Sequence, residues 1–201
     1  GLPIINGAEG QHMHNPYFPV PFSPGMLSGS ADATYPHLVP RITLADGAVL
    51  MPLAFFKDVR VTRRGAVTEV SWRQDALDRM GENDARPDRR VTIETRYALA
   101  PGRITRSDRL RLAPGTRATK IDLEFVSFSG APVMHAGKVS FGTGEVRDFA
   151  ATGYDGCKAG RAEKPEYRAP TGAFATLVHC TRSAPVAQNG VIALTWELSY
   201  N

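Results

Sequence analysis

The clearest signal in this chain is alternation. From Arg89 to Leu99, apolar side chains fall at Val91, Ile93, Tyr97 and Leu99, while Arg90, Thr92, Glu94 and Arg96 take positions between them. A period of two marks a strand with one face buried. Pro101-Gly102 turns the chain into Arg103–Leu112, where Ile104, Leu110 and Leu112 share one parity and Arg103, Arg109 and Arg111 the other. Arg106 and Asp108 sit on the apolar parity two residues apart, which predicts a partly buried ion pair. Pro114-Gly115 leads into a third run, Ala118–Phe128, with Ile121, Leu123 and Phe125 set against Lys120, Asp122 and Glu124. The three runs read as consecutive neighbours in one antiparallel meander.

The same reading extends along the rest of the chain. Asp46-Gly47 between Arg41–Leu44 and the apolar run Ala48–Phe56 is a hairpin signal, and Arg63-Arg64-Gly65 joins Val59–Thr62 to Val67–Arg73 in the same way. Further strands are predicted at Gly137–Phe141, Glu145–Phe149, Phe174–Thr181 and Val191–Ser199. Gln74–Met80 has the composition for two helical turns stopped by Gly81, and no longer window keeps a 3.6-residue period. Roughly ten strands with turns every 8–12 residues predict an all-β fold, a large antiparallel β-sandwich over residues 41–201. The long runs imply extended, supersandwich-like sheets, since a usual strand has about five or six residues. Residues 1–40 are different. Prolines at 3, 16, 19, 21, 24, 36 and 40 leave no periodicity, and the segment reads as an extended Pro/Gly-rich N-terminal arm packing through Tyr17, Phe18, Phe22, Met26 and Leu27.

Composition narrows the function classes. With 201 residues, 42% hydrophobic and 22% charged, the chain can bury a core without metals or many disulfides. Its longest apolar run is interrupted by Pro52 and falls far short of the roughly 20 residues of a spanning helix. A net charge of +4 lacks the density of a dedicated nucleic-acid binder, so neither nucleic acid nor membrane is an expected partner. Gly1-Leu2-Pro3 shows neither an initiator Met nor a signal-peptide pattern, and is expected to open a mature or excised segment.

Among residues that could carry chemistry, Cys157 and Cys180 come first. They form no CxxC and complete no zinc spacing. They bracket an irregular polar stretch, and a bond between them would contribute roughly 3 kcal/mol and point to a periplasmic or secreted protein. His179 beside Cys180 makes a poor dyad, because neighbours in a strand point to opposite faces. His12 and His14 would face one side of an extended segment, where His37 or Asp32 could complete a chelate, but arm histidines bonded to backbone or water are the plainer reading. No metal and no cofactor are expected. The acidic group Asp75, Asp78, Glu82, Asp84 and Asp88 reads as a solvated loop, and Phe141-Gly142-Thr143-Gly144 as a hairpin turn. There is no nucleophile elbow, phosphate loop, dinucleotide fingerprint or HExxH.

Residues 89–120 concentrate nine basic side chains against Glu94 and Asp108. Arg103, Arg109 and Arg111 on one strand face suit a groove for an anionic polymer, because guanidinium forks match carboxylate and sulfate. The competing reading is a solvated face whose charge is offset across strands by Glu94, Asp122 and Glu124.

The strand pair from Val91 to Leu110 (VTIETRYALAPGRITRSDRL) resembles a recurring hairpin of large bacterial carbohydrate-active sandwiches. It is similar to the β-domain that follows a helical toroid in heparinase II/III-type polysaccharide lyases. The arm His12–Gly25 fits a segment arriving from such an upstream domain. The resemblance covers residues 40–130 and matches none of the family's catalytic positions, so no catalytic residue is carried over. It implies an accessory β-sandwich domain of an exported polysaccharide-processing protein, binding or bracing and not catalysing as an isolated chain. Its partners would be an anionic polysaccharide and an upstream helical domain. The alternatives are part of a lyase or hydrolase active site, and a purely structural packing module.

Overall fold

The computed structural model describes residues 38–52, 55–80, 87–162, 168–169, 172–185 and 190–201, and every regular element among them is a strand. The first half of the chain supplies β1 (Arg41–Leu44), β2 (Val49–Met51), β3 (Phe56–Arg64), β4 (Val67–Gln74), β5 (Leu77–Arg79), β6 (Pro87–Asp88), β7 (Val91–Ala100) and β8 (Arg103–Leu112). The second supplies β9 (Ala118–Ser127), β10 (Gly130–His135), β11 (Lys138–Thr143), β12 (Val146–Thr152), β13 (Gly156–Arg161), β14 (Arg168–Ala169), β15 (Gly172–Ala173), β16 (Thr176–Ser183) and β17 (Ile192–Tyr200). Two antiparallel sheets pack face to face. One has the order β13-β16-β9-β1-β2-β5-β6 and the other β10-β11-β12-β17-β8-β7-β4-β3, with β14 and β15 forming a separate short ribbon.

The turn chemistry acts as the sequence predicts at three hairpins. Gly47 takes a φ of +85° between β1 and β2, where Leu44 N–H donates to the Ala48 carbonyl at 2.8 Å. Gly65 closes β3 onto β4, and Gly102 closes β7 onto β8 in continuous register from Val91 opposite Leu112 to Ala100 opposite Arg103. Left-handed backbone of this kind excludes most side chains, and glycine relieves it.

Two expectations are overturned. Ala118–Ser127 is not the third strand of a meander, because β9 belongs to the sheet opposite β7 and β8. Residues 113–117 cross the sandwich, tied to one sheet by Ala113 N–H on the Arg90 carbonyl (2.8 Å) and to the other by Ala45 N–H on the Arg117 carbonyl (2.9 Å). Alternation specifies which side chains face inward, and the inner faces of both sheets satisfy it equally. Gln74–Met80 is not helical either. Gln74 ends β4, and Leu77–Arg79 pairs with β2 and β6. Gln74 and Leu77 are fully buried, and tertiary pairing outweighs a helix too short to hold itself.

The core fills the space between the sheets. Of the residues predicted to face it, Val91, Ile93, Tyr97, Ile104, Leu110, Ile121, Leu123 and Phe125 are buried, and Leu112 is half-buried at the margin. An aromatic row crosses the interior through successive ring contacts of 4.9–6.3 Å, from Phe56 through Trp72, Tyr97, Trp196, Phe149 and Phe125 to Phe141. Trp196 Nε1 donates to the Leu38 carbonyl at 3.2 Å, and Leu38 and Val39 are buried, so the core takes in residues on the arm side of position 40. The rest of the predicted arm, with His12, His14, Asp32 and His37, lies outside the described residues, as do Glu82 and Asp84. At the other margin, β3 is an edge strand exposed along all nine residues.

Arg106 and Asp108 are fully buried in this apolar interior, deeper than the partial burial the sequence implied. Arg106 donates from Nε to Asp108 Oδ2 (2.8 Å), from Nη2 to Oδ1 (3.0 Å) and from Nη1 to the Tyr97 hydroxyl (3.1 Å). Thr95 Oγ1 donates to Asp108 Oδ1 at 2.7 Å. Burial opposes the guanidinium charge, but the carboxylate and the Tyr97 hydroxyl outweigh it and hold the group protonated.

Cys157 and Cys180 stand directly opposite each other on β13 and β16 and are bonded, with an S–S distance of 1.98 Å. They staple adjacent strands instead of tethering an irregular loop. No helix among the described residues is long and apolar enough to cross a membrane.

Candidate functional site

The outer face of the eight-stranded sheet carries the basic residues that the sequence singles out. On β8, inward Ile104, Arg106, Asp108 and Leu110 leave Arg103, Thr105, Ser107, Arg109 and Arg111 pointing outward. β17 runs beside β8 with Ala193 opposite Arg109 and Ser199 opposite Arg103. The three arginines do not share one cleft. Arg109 and Arg111 line a cleft at one end of the β8–β17 ladder, and Arg103 lines another at the opposite end.

The first cleft, about 610 Å³, is bounded by Arg109, Arg111, Val191, Ala193, the link Gly153-Tyr154-Asp155 and Arg182. The link exists because the chain leaves β12 in one sheet and enters β13 in the other. Pairing of β12 with β17 ends at Thr152 opposite Thr195, and Gly153 then passes against the β17 backbone. A Cβ at position 153 would lie 2.3 Å from the Ala193 carbonyl oxygen, so this approach requires glycine. The wall is then pinned to β16 at three points. Asp155 N–H donates to the Thr181 carbonyl (2.9 Å), Ser183 N–H to Asp155 Oδ2 (2.7 Å), and Arg182 Nη1 to the Gly153 carbonyl (3.1 Å). Tyr154 packs against both halves of the core, and burial pushes its phenol far above the usual range, so the ring anchors the link as a neutral group.

Glu94 approaches Arg109 at 4.0 Å with both side chains largely exposed, a contact too long and too wet to neutralise the arginine. Arg111 forms no ion pair among the described residues. The offset expected from Asp122 and Glu124 does not occur, because β9 lies in the other sheet. Among the described residues lining this cleft there are three guanidinium groups and one carboxylate, Asp155.

The second cleft, about 530 Å³, is bounded by the Ala100–Arg103 turn, Lys138, Arg147, Asp148, Glu197, Ser199 and Tyr200. Burial pushes the Asp148 carboxyl up, but hydrogen bonds from Ser140 (2.8 Å), Lys138 and Ser199 (3.2 Å) outweigh it and hold it below its usual range. Lys138 reaches Asp148 at 3.1 Å and Arg147 at 3.5 Å, with both cations still about half exposed or more. Arg103 forms no ion pair among the described residues.

The remaining candidates resolve into structural roles. Cys180 faces the core in its disulfide while His179 faces outward, where Nε2 lies 2.8 Å from Asp122 Oδ1. Thr181 Oγ1 donates to the same oxygen (3.1 Å), and Lys120 pairs with Oδ2 at 2.8 Å. Burial raises the Asp122 carboxyl, but His179 and Lys120 outweigh it and bring its pKa to about 2. Asp75 pairs with Lys57, Asp88 with Arg90, and Asp78 is buried, so the supposed acidic loop is divided among separate contacts. Among the described residues no group of three or more His, Cys, Asp or Glu side chains could hold a metal ion.

Sequence reasoning missed Arg182, Tyr154 and Asp155. They come from β16 and from a link between sheets, so no spacing on β8 could reveal them. The turn residues Gly153, Asp155 and Gly156 were the available signal. No protein-family model and no curated protein matches this chain.

Proposed function

We propose that this chain is an exported, accessory β-sandwich domain that binds an acidic polysaccharide and does not catalyse on its own. The observation that carries the reading is the first cleft, where Arg109 and Arg111 of one sheet and Arg182 of the other line one space whose described lining holds a single carboxylate, Asp155. Planar guanidinium groups suit carboxylate or sulfate groups in bidentate fashion. The outward Ser107, Thr105 and Thr195 hydroxyls add donors and acceptors fitted to sugar hydroxyls. The Cys157–Cys180 disulfide supports a periplasmic or secreted location, where such bonds persist. The likeness of Val91–Leu110 to the sandwich domains of heparinase II/III-type lyases supports a carbohydrate-processing parent protein.

Each guanidinium–anion contact contributes about 1.5–3 kcal/mol before solvent screening reduces it. Retention on heparin, alginate or pectate at low salt is expected, falling steeply as salt is added. Arg109→Ala/Arg111→Ala should weaken retention with little change in Tm, because both side chains are exposed. Wild-type protein that passes through all three matrices at low salt overturns the reading.

A further inference from the structure

The two clefts lie on one sheet face, at opposite ends of the same strand pair. Arg103 and Arg111 are both outward on β8, and eight residues at about 3.3 Å each place them about 26 Å apart. Between Arg103 and Arg109 β8 carries no outward charge, and the one outward carboxylate on this part of the ladder, Glu197 of β17, stands at the far-cleft end. Thr105 and Ser107 point outward there, hydrogen-bonded to Glu197 and Thr195 of β17 at 3.3 Å each. The far cleft also gathers three cations, Arg103, Lys138 and Arg147, here with two carboxylates, Asp148 and Glu197. Lys138 and Arg147 converge on Asp148, yet each keeps about half or more of its side chain in solvent and can take a second anion.

We infer that the two clefts form one bipartite site, which takes an acidic polysaccharide long enough to run along the β8–β17 ladder and engage cations at both ends. The inference rests on the polysaccharide reading above and adds to it a second contact point, a direction and a minimum length. A short acidic oligosaccharide reaches one cleft at a time. A chain spanning about 26 Å makes its second contact intramolecularly, and such linkage raises affinity by about 10²-fold or more when the span is matched.

The test is titration of the intact, disulfide-bonded chain with a ladder of oligogalacturonates from disaccharide to dodecasaccharide at low salt. Affinity is expected to stay low and flat for short members, rise about 10²-fold across the length that spans both clefts, and level off beyond it. Arg103→Ala/Arg147→Ala in the far cleft, and separately Arg111→Ala in the near cleft, should each abolish the step. Both variants should keep Tm, which confirms that they fold. A smooth rise with length, or a step that survives the far-cleft variant, overturns the bipartite site and leaves the anion-binding reading standing. No binding by any member of the ladder overturns both.

Discussion

Removing one member of the buried Arg106–Asp108 pair should be among the most damaging single substitutions in this chain. Asp108→Ala strands a guanidinium, and Arg106→Met strands a carboxylate, in the middle of a sandwich where both groups are fully buried. Losing one partner of a buried pair costs about 3–5 kcal/mol, mainly from the uncompensated charge left behind. In a domain of this size that lowers Tm by about 6–20 °C. Removing both charges together with the two hydroxyls described around them should behave differently. Arg106→Met with Asp108→Leu alone would leave the Thr95 and Tyr97 hydroxyls without their partners, at about 1–3 kcal/mol each. Adding Thr95→Val and Tyr97→Phe removes those groups too, and the fourfold variant should recover to within about 1 kcal/mol of wild type or exceed it. Urea unfolding of the oxidised protein measures each difference as a shift in midpoint at constant slope. A single variant that loses less than about 1 kcal/mol, or a fourfold variant no better than the singles, refutes the account of the pair as mutual charge compensation.

Two further outcomes test other parts of the fold. Cys157→Ala/Cys180→Ala should lower stability by about 3 kcal/mol, read from the urea midpoint, since the bond closes a loop between residues 23 apart in sequence. Asp122, whose pKa is lowered to about 2, contributes stability that is complete above the ordinary carboxylate value near 3.8 and is lost as pH falls towards 2. Thermal melts between pH 5 and pH 2 should show this loss of about 1–2 kcal/mol after screening, and Asp122→Asn should remove it from the pH profile.

Much of the fold was legible because a strand's period of two survives any packing arrangement. Val91, Ile93, Ile104 and Leu110 face inward as their spacing requires, and Gly47, Gly65 and Gly102 turn where the sequence places them. The identity of the sheet each strand joins was not legible. Ala118–Ser127 has the same alternation whether it pairs with β8 or crosses to β1 and β16. The same limit applies to the cleft. Parity placed Arg109 and Arg111 on one outward face, but Arg182 arrives from the opposite sheet and Tyr154 from the link between them. Grouping Arg103 with the other two treated a strand face as a single site, and the clefts at either end of the ladder divide it. Edge and crossing elements carry little hydrophobic signal of their own, which is why β10 and β13, largely exposed, escaped the pattern.

The position of β17 in its sheet has a consequence for how the molecule is made. One half of the sheet, β3, β4, β7 and β8, is complete by residue 112, and the other half, β10 to β12, by residue 152. Only β17, residues 192–200, lies between them, and it carries Trp196 into the interior. A chain emerging from the ribosome therefore holds two half-sheets with open inner edges until that strand is synthesised. Its pairings are long-range, with Leu194 opposite Asp108 and Trp196 opposite Arg106, and such contacts form late and slowly. Cys180 likewise pairs across β9 and β13 only in the last part of the chain. A product truncated before residue 192 would expose one unpaired edge on each of β8 and β12, and be a substrate for proteolysis or aggregation.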